Sequence, residues 1–203
     1  MRHGRTLRYF TLLREPIVRW ISYVRYFSFV GPHSPRPELT LREYAEEMLA
    51  KPPALTLTQI NAQTNFIAEH EWFRRHRDDA VAIDWQSDPE LFARYLRERL
   101  ALAKELLGRF DVVGTVERLA DFTRVLQSRA LAWDVPLLPT DGLNLTHVTE
   151  KPPVDVAWIV PSDSIGRRLL DAFAEDFELY HCANERLTAD LLRLDTAGTT
   201  PRR

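Results

Sequence analysis

The stretch Tyr9-Phe-Thr-Leu-Leu-Arg14-Glu15-Pro16-Ile-Val-Arg19-Trp-Ile-Ser22-Tyr-Val-Arg25-Tyr26 decides the reading of this sequence. Leu7 to Leu13 is a short apolar run with aromatic and β-branched members, which suits a buried strand. Arg14-Glu15-Pro16 ends it, and a proline suits the first position of a helix, where its missing N–H costs nothing. From Ile17 the spacing turns helical: Ile17, Ile21, Val24 and Ser28 fall on one side, Arg19, Ser22, Tyr23 and Tyr26 on another. A strand, a tight turn and a helix with an arginine at the junction make a phosphate site. A helix opening offers N–H groups and the positive end of its dipole. A guanidinium grips two phosphate oxygens in a fork that lysine cannot copy. Ser22 can add a hydroxyl. From the residues alone a second reading stays open, in which Arg14 makes a surface ion pair and Ser22 is an incidental helix residue.

Working outward, Gly31 to Pro37 is a proline-rich loop, and Thr40 with Glu43 forms a capping box for a helix over Leu41–Ala50. A helix is expected from Leu57 to Phe73 and another, strongly amphipathic, from Leu91 to Leu107 with Gly108 as its C-cap. Val81–Asp84 is a short strand or a connector. Phe110–Gly114 reads as a second buried strand, and Thr115 as the cap of a helix running to Ala132. After a loop over Val135–Pro153, helices are expected at Ser164–Phe173 and Phe177–Leu194. The expected class is therefore α/β and helix-dominated: a small parallel sheet covered by helices, in one domain over residues 1–195, with a disordered tail at 196–203.

Composition narrows the function. A net charge of -2 without a sustained basic stretch gives no signal for nucleic acid. The single cysteine, Cys182, excludes a disulfide framework within the chain and a cysteine-based zinc site. No apolar run reaches the length of a membrane span, so the chain as given is expected to be soluble and cytoplasmic. His70 and His76 flank Glu71 at a spacing that puts them on different helix faces, which argues against a metal pair. Arg74, Arg75 and Arg77 either meet an anionic acceptor or form a solvated helix end. No Gly-x-Ser-x-Gly elbow is present.

The Arg14 block resembles the 3′-phosphate-binding segment of the second large sulfotransferase family, which includes heparan sulfate 2-O- and 6-O-sulfotransferases and bacterial members. That family's pattern is an apolar strand, Leu-Arg-Asp-Pro, an arginine three residues on and a serine three further. Leu13, Arg14, Pro16, Arg19 and Ser22 match it, and Glu15 replaces the aspartate. Three later stretches are similar to family segments in the same order: Asn61-Ala-Gln63-Thr64-Asn65; Phe110-Asp-Val-Val-Gly114-Thr-Val-Glu117-Arg118; and Asn144-Leu-Thr146 followed by Asp176-Phe-Glu178-Leu179-Tyr180 and Glu185-Arg186.

The resemblance implies a P-loop-NTPase-like sulfotransferase fold. It also implies transfer of a sulfuryl group from 3′-phosphoadenosine-5′-phosphosulfate to a hydroxyl acceptor, of carbohydrate type, with no metal. Arg14 and Ser22 would bind the 3′-phosphate and Arg19 would support them. The family holds the reactive sulfate with an N-terminal strand and a lysine-containing loop, but no lysine precedes Lys51 here. The expectation is thus an N-terminally truncated member, with its catalytic base unassigned and His3 read as a frayed terminal residue. The alternative is an inactive remnant, a nucleotide-binding or interaction module that keeps only the 3′-phosphate half-site.

Overall fold

The computed structural model describes residues 8–29, 39–76, 88–132 and 155–198. The chain runs β1 (Phe10–Leu13), α1 (Pro16–Phe29), α2 (Leu41–Leu49), α3 (Ala62–Arg75), α4 (Pro89–Arg109), β2 (Val112–Thr115), α5 (Leu119–Ala132), α6 (Ser164–Ala172) and α7 (Ala174–Gly198). Short 3-10 turns at Pro53–Leu55 and Val116–Arg118 precede α3 and α5. The architecture is helix-dominated α/β. β1 and β2 pair in parallel, Phe10 opposite Val112 and Leu13 opposite Thr115. Both strands therefore end at the same edge, and the turns Arg14-Glu15 and Val116-Glu117 lie side by side.

All four residues of β2 are buried. Val113 joins the core formed with Trp72, Tyr95, Leu102 and Leu179, while Val112 joins Phe122, Val125 and Leu187 on the opposite face. Alternating side chains of one strand thus feed two cores, as a strand covered on both faces must. β1 differs from its expectation as a buried strand. Only Leu13 is buried, whereas Phe10 and Leu12 are exposed. Among the described residues β1 has β2 as its sole strand neighbour. A third core joins α1, α2 and α6 through Trp20, Met48, Leu169 and Phe173. Among the described side chains of α1, Pro16, Ile17, Trp20 and Val24 are buried, so the apolar stripe runs through Trp20.

The Thr40 capping box forms: the Glu43 N–H donates to Thr40 Oγ1, and the Thr40 N–H donates to the Glu43 carboxylate at 2.8 Å. Several boundaries shift for identifiable reasons. α3 begins at Ala62, five residues after the expected start, because Asn61 adopts a left-handed conformation (φ 49°) and breaks the run. Gly108 lies inside α4. That helix ends on Phe110, and Arg186 of α7 donates to the Leu107 and Phe110 carbonyls, so no left-handed glycine is needed. Thr115 does not cap α5; its hydroxyl donates to Asn184 Oδ1 at 3.0 Å instead. α7 starts at Ala174 and continues through Gly198, past the expected boundary at residue 195, with the Thr196 hydroxyl donating to the Leu192 and Arg193 carbonyls. His3, Leu7, Arg77, Val81–Asp84, the Val135–Pro153 loop with Asn144 and Thr146, and residues 199–203 lie outside the described residues. No helix among the described residues is long and apolar enough to cross a membrane.

Candidate functional site: an arginine-lined cleft at the strand ends

Parallel α/β sheets place ligands beyond the carboxyl ends of their strands, and a cleft lies at that edge here. A cleft of about 480 Å³ is walled by Leu12 and Leu13 of β1, by Arg14 and Arg19, by Leu57 and Thr58, and by one face of α3 including Gln63, Phe66 and Glu69.

Three segments far apart in sequence fix the Arg14 turn. Gln63 clamps the Arg14 main chain on both sides: the Arg14 N–H donates to Gln63 Oε1 at 2.7 Å, and Gln63 Nε2 donates to the Arg14 carbonyl at 2.8 Å. Gln63 is itself held by α7, since the buried Asp176 carboxylate accepts from the Gln63 N–H (3.2 Å), the Thr64 N–H (2.8 Å) and the Thr64 hydroxyl (2.8 Å). Asp176 thereby caps α3 from another helix, a role that Asn61 leaves open because its side chain makes no cap bond. Asn61 instead donates to the Ala172 carbonyl and accepts from the Asp176 N–H. The third segment follows β2, where the Glu117 carboxylate accepts from the Glu15 N–H at 3.0 Å and from the Tyr180 hydroxyl at 3.1 Å.

Arg14 and Arg19 are the two sequence-predicted residues that the fold brings together. Both are half-buried and both face the cleft. Arg14 Nε and Arg19 Nη1 are shielded from solvent and make no hydrogen bond among the described residues. Burial pushes the Arg19 guanidinium below its ordinary value, against the smaller opposing pull of Asp176 and Tyr23. Arg14 forms no ion pair with Glu15. The Glu15 carboxylate instead accepts from the Val18 N–H at 2.6 Å, capping α1 with the protein's own anion. The positive charge at the cleft therefore comes from guanidinium groups and not from an open helix terminus. Ser22 lies one turn beyond Arg19 on α1, half-buried, and is not on the wall of the cleft.

The other sequence candidates are engaged elsewhere. Arg74 and Arg75 both bind Glu71, and Arg75 also binds Glu105 at 2.8 Å. His76 stacks on Trp72 and is held between the Trp72 carbonyl and Arg94. Among the described residues no three His, Cys, Asp or Glu side chains converge as a metal site. Sequence reasoning missed Glu69 and Phe66, which line the cleft on the α3 face that follows Gln63. Their spacing from Gln63 would have placed them there had the Gln63–Arg14 clamp been legible.

The fold and site define a class: a helix-dominated α/β protein with two unsatisfied arginines in a cleft at the carboxyl ends of a parallel strand pair. No family model, curated protein or solved structure matches the chain.

Proposed function

We propose that the cleft binds a 3′-phosphorylated adenosine nucleotide. The chain would then act as a sulfotransferase of P-loop-NTPase-like fold, moving a sulfuryl group from 3′-phosphoadenosine-5′-phosphosulfate to a hydroxyl acceptor of carbohydrate type. The observation that carries this reading is the pair of buried, unsatisfied donors, Arg14 Nε and Arg19 Nη1, in one cleft. A phosphate in the cleft would meet two guanidiniums whose hydrogen-bonding capacity the chain's own acceptors leave unfilled. The Leu-Arg-x-Pro pattern of the turn supports a ribose phosphate over other anions. Convergence of the Gln63, Glu117 and Asp176 segments on that turn supports the order of motifs in the sequence. Ser22 has less support than the two arginines.

A specific observation favours a second reading, nucleotide binding without chemistry. Sulfuryl transfer needs positive charge on the transferring oxygens. Among the described residues no lysine reaches the cleft: Lys51 lines a separate cavity with Met48, Ile60 and Arg99, and Lys104 is paired with Glu178.

Calorimetry with adenosine 3′,5′-bisphosphate tests the shared element. Each charge-assisted bond contributes about 1.5–3 kcal/mol, so Arg14→Ala and Arg19→Ala should each weaken binding by roughly tenfold to a hundredfold. A folded wild type that fails to bind, or variants that bind as tightly as wild type, would reject the site. Labelled sulfate transfer to a panel of glycans then separates enzyme from binding module.

A further inference from the structure

Glu69 shares the cleft wall with Arg14 and Arg19 but stands at a different point along it. It follows Gln63 by six residues on α3, which at 1.5 Å per residue is about 9 Å along the helix axis. Because Gln63 is clamped to the Arg14 main chain, that rise sets the Glu69 position on α3 apart from the Arg14 turn. The donor nucleotide has a matching polarity. Its 3′-phosphate and its 5′-phosphosulfate leave opposite sides of the ribose, so a 3′-phosphate on the arginines places the reacting sulfur a ribose away from them.

The carboxyl is half-buried, and among the described residues neither a cation nor a hydrogen-bond donor engages it. Glu71, two residues on, is by contrast fully taken by Arg74 and Arg75. Burial raises Glu69 from the ordinary carboxylate range. The titratable group coupled to it across the packed helices is Tyr95 of α4, whose hydroxyl is pushed up by burial first and by the Glu69 charge second. An unpaired carboxylate in a cleft that also holds two unpaired guanidiniums is placed to accept a proton, not to stabilise the fold.

We propose that Glu69 is the general base for the acceptor hydroxyl, an inference that rests on the transferase reading above. The acceptor oxygen attacks sulfur, and a new S–O bond forms. The bond between sulfur and the bridging phosphate oxygen breaks, and its electron pair leaves with adenosine 3′,5′-bisphosphate. The hydroxyl proton passes to a Glu69 carboxylate oxygen and then to water.

The test compares wild type, Glu69→Gln and Glu69→Asp in transfer from the labelled donor to a glycan and alcohol panel, with bisphosphate calorimetry on the same samples. The expected result is a fall in transfer of about a hundredfold or more in Glu69→Gln, the span a general base supplies. Bisphosphate affinity should hold within about twofold, well under 1.4 kcal/mol, and Glu69→Asp should be intermediate. Transfer by Glu69→Gln at the wild-type rate overturns the base while leaving the transferase reading standing. Equal losses of transfer and bisphosphate binding overturn it too, because Glu69 would then serve donor binding or folding. A wild type that binds bisphosphate but transfers nothing rejects the transferase reading, and the base with it.

Discussion

The long-range cap of α3 gives a prediction whose size follows from the structure. Asp176 is fully buried on α7, and its two oxygens accept from the main-chain N–H groups of Gln63 and Thr64 and from the Thr64 hydroxyl. Asp176→Ala leaves two main-chain donors without acceptors at a dry helix terminus. Each such donor costs about 1–3 kcal/mol, and loss of the anion from the α3 N-terminus adds a few tenths to about 1 kcal/mol more. A total of about 3–5 kcal/mol is expected, which for a chain of this size lowers Tm by about 6–20 °C. Asp176→Asn keeps one acceptor oxygen and the side-chain volume, and should cost roughly half as much. Urea titrations followed by circular dichroism measure the loss, and amide exchange at Gln63 and Thr64 localises it. Because Gln63 aligns Arg14, both variants should also weaken bisphosphate binding beyond their share of unfolded protein. An Asp176→Ala variant that loses less than about 1 kcal/mol, with unchanged protection at Gln63 and Thr64, would refute the capping argument.

Other perturbations test neighbouring claims. A Cβ on Gly114 would lie 2.5 Å from Phe122 Cδ2, and Phe122 is buried, so Gly114→Ala should destabilise by about 1–3 kcal/mol, and adding Phe122→Leu should recover part of it. Hydrogen bonds from Arg74 and then Arg75 hold the Glu71 carboxyl down at about 2. A depressed carboxyl stabilises the fold above its unfolded value of about 4.3 and loses that contribution as pH falls toward about 2. Acid titration of stability should therefore be shallower in Glu71→Gln across that window, and an unchanged slope refutes the pairing. Arg19→Met removes a desolvated cation without a hydrogen-bond acceptor at Nη1, so stability should hold or rise by about 1 kcal/mol while bisphosphate binding weakens by roughly tenfold to a hundredfold. A large loss of stability instead would make Arg19 structural.

The parts of the fold legible in the sequence were those set by local chemistry. Pro16 opening α1, the Thr40–Glu43 box and the helical spacing of α4 and α6 depend on residues within a few positions of one another. Three of the departures from expectation share a physical origin. The start of α3 depends on Asp176, the end of α4 on Arg186 and the fate of Thr115 on Asn184, and all three partners sit on α7. Helix periodicity carries no trace of a cap supplied from another helix. The site follows the same division. Arg14 and Arg19 were legible as cations at a strand–helix junction, whereas Glu69 entering the cleft required the tertiary packing.

The pairing of four other arginines bears on what Arg14 and Arg19 are for. Arg42 is paired with Asp163, Arg75 with Glu71 and Glu105, Arg99 with Glu175 and Arg118 with Asp121. Arg99 is the most instructive, because it is more deeply buried than either cleft arginine and yet is satisfied by Glu175 and by Asn65 Oδ1. The fold can therefore supply acceptors to a buried guanidinium. At the β1–α1 turn acidic groups are close at hand, but Glu15 is committed to the Val18 N–H, Glu117 to Glu15 and Tyr180, and Asp176 to α3. These three carboxylates are spent on main-chain donors and on the Tyr180 hydroxyl, and Arg14 Nε and Arg19 Nη1 are left without acceptors among the described residues. Fixed main chain with unsatisfied cationic donors is what preorganisation for an anionic ligand requires, since the cost of ordering the site is met in folding and not in binding.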